Sequence, residues 1–354
     1  MTGRREVWRI GRAGALDRLR REEEPAPEPG PGEIRIRVEA VGLNFADVFA
    51  CMGLYSATPK GAFIPGLECA GTVSAVGAPA PGRAQSFTIG DAVMAVTRFG
   101  GYATEVAVDS RQAHPLPAGW SFAEGAAYPV QALTAWYALL RVGHAGPGKT
   151  VLVHSGAGGV GLMALEGLAT LGAEAIATVG REEKRAFLVR ERGLAPEAVI
   201  VRDRRRFGAQ LDRALAARNR PGLDLVLDAV LGPFFRPAYD RLLPQGRHVV
   251  FGAAEFTPAG GRPNPLRLAA RWVRRPRLDP LAMISENRGV VGFNLIWLWE
   301  EVDVLAAAFA ELERLVKRRP HLGARFAFAR APEALRHLQS GATMGKVVLD
   351  VAVT

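Results

Sequence analysis

The first third of the chain alternates apolar and polar residues, the pattern of strands that bury one face. The longest such run is Glu-Ile-Arg-Ile-Arg-Val-Glu-Ala-Val at 33–41, which follows a turn rich in proline and glycine at 25–32. Apolar runs between glycine turns predict further short strands at 71–76, 91–96 and 103–108. Strands at this spacing predict a compact β-rich barrel or sandwich up to about residue 125.

From about residue 127 the pattern changes to apolar strands separated by helical stretches. After a predicted helix at 134–140, the predicted strands are 151–153, 173–179, 198–201, 223–227 and 247–252. This alternation is typical of a doubly wound parallel sheet. The sequence therefore predicts an α/β protein.

The last part of the chain is predicted to return to the first domain. After Gly292 one long helical pattern runs to about Arg319, and it is followed by a strand, a helix and a final strand from Lys346. The predicted domains are a doubly wound domain at 127–297 and a discontinuous β-rich domain made of 1–126 and 298–354.

A glycine-rich turn separates the first strand of the doubly wound domain from its helix. Gly156, Gly158 and Gly161 have the G-x-G-x-x-G spacing, in which the glycines allow a tight turn, close backbone approach to phosphate, and helix-on-strand packing. Free N–H groups at the following helix start would face an anion. The spacing alone is weak evidence in a chain with 40 glycines, but strand, turn and helix come in the required order. The predicted dinucleotide contacts here are Ser155, Gly156, Gly158, Gly159, Val160 and Gly161.

The end of the second strand of this unit indicates which dinucleotide binds. A NAD site usually has an acid about 20 residues on, whereas NADP sites present cations to the 2′-phosphate. Here Gly180 is followed by Arg181, with Lys184 one helical turn later and Arg202 after the third strand. The pattern favours NADPH as the cofactor. The alternative is a solvated helix start whose cations pair with the neighbouring glutamates.

Composition and charge bear on the location of the protein and on its partners. At 354 residues and 49% apolar content, the chain has no apolar run of 18 residues and no signal-peptide pattern, so a cytoplasmic location is expected. The net charge of +10 comes mainly from arginine, 40 of the 45 cations, but no nucleic-acid recognition motif accompanies it, and no nucleic-acid partner is expected. Residues 266–274 place three arginines on one helical face. An ordinary surface helix is favoured there, and weak contact with a membrane surface is the alternative.

The sequence offers no plausible metal site. Its two cysteines, Cys51 and Cys69, have no C-x-x-C neighbour, and its six histidines are scattered singly. We therefore expect no bound metal.

Several segments together carry a family resemblance over nearly the whole chain. They are Gly42-Leu-Asn-Phe-Ala-Asp47, Gly53-Leu-Tyr55, Pro65–Gly71, Gly90–Val93, Ala157–Gly161, Ile284–Phe293 and Gly345–Leu349. The chain resembles the quinone oxidoreductase branch of the medium-chain dehydrogenase/reductase superfamily, and within it the vesicle amine transport protein group. The resemblance implies a cleft between a GroES-like catalytic domain and a Rossmann domain, usually in a homodimer. Where zinc alcohol dehydrogenases commonly have Gly-His-Glu, this chain has Gly66-Leu67-Glu68, and the four-cysteine zinc lobe is absent.

The same resemblance suggests site residues. Asn44 could bond the nicotinamide ribose or the acceptor oxygen, with a helix N-cap as the alternative. Tyr55 offers a phenol to a developing oxyanion, with simple packing as the alternative. Phe49 stands where the family often has a tyrosine, which predicts a more apolar pocket. The remaining cofactor contacts implied by the resemblance are Thr134, Phe251, Gly252 and Lys346.

The missing zinc ligands limit the chemistry. Reduction of an isolated ketone concentrates negative charge on one oxygen, whereas a quinone or an α,β-unsaturated carbonyl spreads that charge itself. The sequence therefore predicts a zinc-independent, NADPH-dependent reductase of small electrophilic quinones or enones. The alternative is an NADPH-binding protein, membrane-associated or regulatory, with weak or no turnover.

Overall fold

The computed structural model describes residues 3–82, 86–258, 260–316 and 318–351. The strands are β1 (Arg4–Ile10), β2 (Leu19–Pro25), β3 (Glu33–Gly42), β4 (Glu68–Val76), β5 (Ala92–Val96), β6 (Glu105–Asp109), β7 (Ala113–Pro115), β8 (Thr150–Val153), β9 (Glu174–Val179), β10 (Val199–Val201), β11 (Leu223–Asp228), β12 (Leu242–Val250), β13 (Gly289–Gly292), β14 (Leu322–Ala327) and β15 (Lys346–Asp350). The α-helices are α1 (Phe45–Cys51), α2 (Phe122–Ala126), α3 (Pro129–Trp136), α4 (Gly159–Thr170), α5 (Glu182–Arg192), α6 (Phe207–Ala217), α7 (Phe235–Tyr239), α8 (Pro265–Val273), α9 (Pro280–Glu286), α10 (Val302–Leu315) and α11 (Ala331–Gln339).

One sheet joins the two ends of the chain. Its strand order is β14-β15-β3-β4-β5-β7, and β6 pairs with β3 off this path. The alternating residues of β3 bury Ile34, Ile36 and Val38 in one core. β15 runs antiparallel to β3, with Val348 opposite Gly42. The C-terminal strands therefore complete the sheet that the N-terminal strands begin.

The second sheet is parallel, with the order β10-β9-β8-β11-β12-β13. Counted from β8, this is the 3-2-1-4-5-6 order of the Rossmann fold, in which ligands bind outside the carboxyl ends of the strands. Its central strands are apolar on both faces, and all four residues of β8 are buried. The predicted α/β fold class with a doubly wound sheet is confirmed.

The alternation of apolar and polar residues does not reveal β2. Its sequence, Leu-Arg-Arg-Glu-Glu-Glu-Pro, has only one buried residue, yet it pairs with β1 along its full length. Ion pairs across the hairpin join Arg5 to Glu24 at 2.6 Å and Arg9 to Glu22 at 2.9 Å. Opposite charges on facing strands here replace the usual apolar signal.

The long helix predicted after Gly292 is divided in two. A 3-10 helix at Leu295–Glu300 precedes α10, and the backbone leaves the helical region at Glu301, whose ψ is 58°. α10 then packs on α3, where Glu311 accepts a 2.6 Å hydrogen bond from the ring N–H of Trp136. The predicted domain boundaries at 126/127 and 297/298 stay predictions, and residue 317, within the predicted helix, lies outside the described residues. In the described part of the chain, no helix is both long and apolar enough to cross a bilayer.

Candidate functional site

The glycine turn lies between β8 and α4, at the carboxyl edge of the parallel sheet. Ser155 has a φ of 56°, which makes the turn tight, and Gly156 donates its N–H to Thr178 of β9 at 2.9 Å. A Cβ at Gly156 would lie 2.8 Å from that of Ala177, and one at Gly161 would overlap the Ser155 carbonyl oxygen. Both glycines are therefore required by close packing of the turn on the sheet and the helix.

The start of α4 forms a cradle for an anion. Gly158 is its N-cap, and a Cβ there would meet only the Ser155 carbonyl oxygen, at 3.2 Å, so the space above it is open. Gly159 lies against the side chain of Gln131, and Val160 is half-buried beside it. The first N–H groups of a helix lack partners within that helix and carry partial positive charge. These residues therefore fit a dinucleotide pyrophosphate.

Three cations cluster beyond β9 and β10, as the sequence predicts. Arg181 is exposed at the N-cap of α5, and its guanidinium has no hydrogen bond or ion pair to any residue that the structure describes. Arg202 donates to Thr178 at 2.8 Å and lies beside Gly180, and burial lowers its pKa to about 10. Burial, and then the charges of Arg181 and Arg202, lower the pKa of Lys184 to about 8. Crowded cations of this kind favour a bound phosphate.

Lys184 also makes two hydrogen bonds that the sequence does not predict. Its ammonium donates to the carbonyl oxygens of Gly341 and Thr343, at 2.8 and 2.6 Å. It is only partly exposed because α5 faces the segment before β15. Lys184 therefore ties the doubly wound domain to the C-terminal segment, and its contact with a phosphate stays a prediction.

The C-terminal segment also contacts the glycine turn directly. Gly345 donates its N–H to the carbonyl oxygen of Ala157 at 2.8 Å, and Gly158 and Gly345 form a parallel bridge. The next residue, Lys346, begins β15. The turn and the strand that completes the other sheet are thus held in contact.

Lys346 is buried in a network with Asn44 and Glu68. Its ammonium donates to Asn44 Oδ1 at 2.8 Å and forms an ion pair with Glu68 Oε1. Asn44 Nδ2 donates to the same carboxylate oxygen at 2.9 Å. The other oxygen of Glu68 accepts the N–H of Val130, at the start of α3, at 2.8 Å. The side chains of Lys346 and Glu68 are 1% and 0% exposed, so both charges depend on these partners.

This network changes the interpretation of Lys346 and adds Glu68 to the site. The family resemblance implies a cofactor contact for Lys346, but the two hydrogen bonds of its ammonium go to Asn44 and Glu68. Sequence analysis gave Glu68 no role of its own. The only signal for it was the acid in Gly66-Leu67-Glu68, and nothing in the sequence connects that acid to a lysine 278 positions later.

Asp47 fixes the backbone from which Asn44 projects. Its carboxylate accepts the N–H of Asn44 at 2.8 Å, the N–H of Gly66 at 3.1 Å and the hydroxyl of Tyr102 at 3.3 Å. Burial raises the pKa of Asp47 to about 7, against the lowering effect of these N–H groups and of Lys346. Asn44 is therefore the N-cap of α1, as the alternative interpretation expected, and its side-chain amide contacts Glu68 and Lys346. A bond from Asn44 to the nicotinamide ribose or to the acceptor oxygen stays a prediction.

The remaining predicted contacts lie around the ends of α3, β12 and β13. Thr134 is buried and donates its hydroxyl to Val130 within α3 at 2.6 Å, which is the contact of a helix-packing residue. Phe251 follows β12 and packs on Phe293 after β13, with ring centroids 5.7 Å apart. Gly252 is pressed against Ala229, where a Cβ would lie 2.9 Å from the carbonyl oxygen. The roles of these residues toward a cofactor stay predictions.

Tyr55 lies between α1 and β4 and contacts the segment that follows β13. Its hydroxyl donates to Asn294 Oδ1 at 2.7 Å, and its ring meets Phe99 edge-on at 6.5 Å. Burial raises the pKa of Tyr55 to about 12, so the phenol keeps its proton at neutral pH. Sequence analysis did not identify Asn294, because it lies one residue beyond the Ile284–Phe293 segment of the resemblance and belongs to no other motif.

Two family models match the chain. Residues 30–118 match the alcohol dehydrogenase GroES-like domain, and residues 198–349 match the zinc-binding dehydrogenase model. Among curated proteins, the zebrafish (Danio rerio) synaptic vesicle membrane protein VAT-1 homolog is 32% identical over 315 residues, covering 88% of this chain but only 63% of the relative. Its human (Homo sapiens) counterpart is 32% identical over 316 residues, covering 88% of this chain and 77% of the relative.

Solved structures agree with these matches. The quinone oxidoreductase of Thermus thermophilus, described also in its complex with NADPH, is 32% identical, covers 98% of this chain and 100% of its own, and has a TM-score of 0.75. A mycobacterial protein solved as a complex with NADPH is 27% identical over the same shares of the two chains, with a TM-score of 0.81.

The zinc in the name of one family model does not suit the residues of this chain. Among the described residues, no group of three or more histidine, cysteine or acidic side chains could hold a metal ion. Leu67 precedes Glu68 where a ligand histidine is common in zinc enzymes. Cys51 and Cys69 are both buried, and burial raises the pKa of the Cys69 thiol to about 12, which opposes formation of a metal-binding thiolate. The described residues therefore do not fit a zinc site.

Proposed function

This chain belongs to the medium-chain dehydrogenase/reductase superfamily, in its VAT-1-like quinone oxidoreductase branch, and from that membership we propose an NADPH-dependent reductase. Its acceptor is a small quinone or an α,β-unsaturated carbonyl. The observation that carries the proposal is the contact between Gly345 and Ala157, which places the buried network of Asn44, Glu68 and Lys346 next to the anion cradle. A cofactor held by the cradle would thus lie beside the amide of Asn44.

The residues of the cradle suit NADPH rather than NADH. Gly158 and the free N–H groups of α4 would hold the pyrophosphate, and Arg181 would meet the 2′-phosphate because its guanidinium is exposed and unpaired among the described residues. Arg202 and Lys184 add positive charge behind it. NADPH supplies the hydride for the reduction when it is bound.

The catalytic contribution of the protein is to position groups and to stabilise charge. Glu68 and Lys346 hold the amide of Asn44 from both ends. Besides its bond to Glu68, Asn44 Nδ2 makes only a long contact of 3.5 Å to the Gly42 carbonyl oxygen, so its second hydrogen can be donated to a ribose hydroxyl or to the acceptor oxygen. Tyr55, which stays protonated, donates to the oxygen on which negative charge develops. A conjugated acceptor needs no metal for this step because it delocalises the charge.

Binding and turnover of the purified protein test this proposal. We expect NADPH to bind more tightly than NADH, and NADPH oxidation to require a quinone or an enone and to persist in the presence of a metal chelator. An isolated ketone serves as the matched acceptor without conjugation and should react much more slowly. Failure to bind either dinucleotide at millimolar concentration would sink the proposal.

A second candidate function is supported by the surface of α8 and α9. Leu266, Trp272, Val273, Leu281 and Ile284 are between 62% and 83% exposed. Residues 257–278 also contain six arginines and no acid. Apolar side chains beside arginines fit an anionic lipid surface. This arrangement supports membrane-surface contact, with or without turnover.

Vesicle sedimentation tests the second candidate. The protein should co-sediment at low salt with vesicles that contain phosphatidylserine, and it should not co-sediment with phosphatidylcholine vesicles. Trp272→Ser should weaken the binding, whereas Ile89→Ser, at an apolar residue that is 71% exposed in another loop, should not. Equal binding of both variants and the parent protein would contradict a role for α8.

A homodimer and a cytoplasmic location also belong to the proposal. β13 is the last strand in the order of the parallel sheet, so its outer edge is available for pairing with a second copy. Light scattering of the purified protein at several concentrations distinguishes a dimer from a monomer, and cell fractionation tests the location.

A further inference from the structure

Tyr55 and Asn294 join the two sides of the cleft. Tyr55 lies between α1 and β4 of the catalytic domain, and Asn294 comes two residues after β13 of the parallel sheet. Their 2.7 Å hydrogen bond spans 239 positions of sequence. Ser56 adds a weaker contact, with its hydroxyl oxygen 3.4 Å from Asn294 Nδ2. Both Tyr55 and Asn294 are half-buried, so the bond is only partly open to water.

Asn294 is held in place by the aromatic residue before it. Phe293 lies 4.8 Å from the ring of Tyr137 and 5.7 Å from that of Phe251, and its N–H donates to the Val250 carbonyl oxygen at 3.1 Å. Asn294 thus stands at the carboxyl ends of β12 and β13, the edge of the sheet where ligands bind in this fold. The backbone of Asn294 is held by the contacts of Phe293, so its amide can orient another side chain.

Tyr55 has a single hydroxyl hydrogen, which limits it to one donated hydrogen bond at a time. A phenol has one hydrogen to donate, and here that hydrogen is directed to Asn294 Oδ1. The oxygen of Tyr55 can still accept, but it can donate to another oxygen only by leaving Asn294. Any donation by Tyr55 to a substrate oxygen must therefore replace its hydrogen bond to Asn294.

We propose that Asn294 is a positioning residue for the reaction, which holds the hydroxyl of Tyr55 at the acceptor site until the acceptor oxygen takes over its hydrogen bond. This inference rests on the proposed function, because it assumes that Tyr55 serves a quinone or enone oxygen. No covalent step is assigned to Asn294.

A double-mutant cycle tests the inference. Asn294→Leu removes the accepting oxygen and should lower kcat by about tenfold, which is 1.4 kcal/mol of activation free energy, with the NADPH dissociation constant unchanged. In a Tyr55→Phe background the same substitution should cost less than about twofold, because the hydroxyl it positions is already absent. Asn294→Asp retains an accepting oxygen and should recover most of the rate. Ser56→Ala is the matched control, since it removes only the weaker contact and should leave kcat unchanged.

A second readout does not depend on activity. The Thr58 N–H donates to the Tyr55 carbonyl oxygen at 3.0 Å, so its hydrogen exchange reports on how firmly this segment is held. Asn294→Leu should accelerate that exchange, and Ser56→Ala should not.

The outcomes separate the inference from the proposed function. The role of Asn294 would be overturned, even in an active enzyme, by either of two results. One is a double mutant whose loss of kcat equals the product of the two single losses, and the other is unchanged hydrogen exchange of Thr58 in Asn294→Leu. If the parent protein oxidises NADPH with none of the quinones and enones tested, the proposed function is overturned instead. The exchange measurement then decides alone whether Asn294 holds the Tyr55 segment.

Discussion

The backbone N–H of Gly345 donates a 2.8 Å hydrogen bond to the carbonyl oxygen of Ala157, inside the glycine turn. Through this bond the anion cradle contacts the residue that directly precedes β15. Lys346 then continues the connection to Asn44 at 2.8 Å. Cofactor binding and the positioning of the proposed catalytic amide are therefore parts of one hydrogen-bonded path.

Glu68→Gln should destabilise the protein strongly. It removes the charge that compensates the buried ammonium of Lys346, and loss of one partner of a buried pair costs about 3–5 kcal/mol of unfolding free energy. Urea denaturation measures the change. Glu333→Gln is the control, since it breaks an exposed ion pair with Arg330 and should have little effect. Equal stability of the two variants would show that the buried network is not important for the fold.

Arg181→Ala should weaken NADPH binding by about tenfold, the loss of roughly 1.4 kcal/mol expected for a charge-assisted bond to phosphate. NADH binding should be unchanged, because NADH lacks the 2′-phosphate. Arg190→Ala removes an exposed cation from the same helix and serves as the control. Fluorescence titration with both dinucleotides checks the prediction, which fails if Arg190→Ala has the same effect.

The preference for NADPH should decline above about pH 8. Lys184 has a pKa lowered to about 8, so it is charged below that pH and becomes neutral as the pH rises through it. The cation cluster then loses one charge. If the phosphate raises this pKa by one unit, the affinity falls by up to about tenfold at high pH.

Dissociation constants for NADPH and NADH measured across this range check the effect. Lys184→Arg keeps its charge at every pH tested and should remove the change in preference. If the affinity declines equally for the two dinucleotides, or if the NADPH preference still declines in Lys184→Arg, the pH dependence belongs to a group other than Lys184.

Asn44→Ala should lower kcat by about 10²-fold, the usual cost of removing one donor that stabilises developing charge. The structure shows Asn44 also as the N-cap of α1, so the variant needs a control for lost capping. Ser121→Ala removes the side-chain cap of α2, where Ser121 accepts the N–H of Glu124. It should lower stability by about 1 kcal/mol without changing kcat. Loss of stability with normal kcat in Asn44→Ala would leave only the capping role.

The parallel sheet could be predicted from sequence because its strands are buried on both faces. Runs such as Val151–Val153 and Val199–Val201 are apolar throughout and are separated by helical patterns. β2 could not be predicted, because its stability comes from charged partners on β1. Hydrophobic periodicity reports on burial and is blind to such pairs.

The candidate site was predicted unevenly for a similar reason. The glycine turn is local, so a stretch of six residues specifies it. Glu68 and Lys346 meet only through the fold, and so do Tyr55 and Asn294. A single sequence identifies groups capable of such contacts, but it does not pair them across more than two hundred positions.

The central claim is that this chain transfers hydride from NADPH to a conjugated acceptor without a metal. The most direct test is turnover with NADPH deuterated at the transferring position of the nicotinamide, in the presence of a chelator, followed by mass spectrometry of the product. With an α,β-unsaturated ketone, we predict one deuterium at the β carbon and one equivalent of NADP⁺ for each product. Product without deuterium, or a reaction that stops when the chelator is added, would contradict the account.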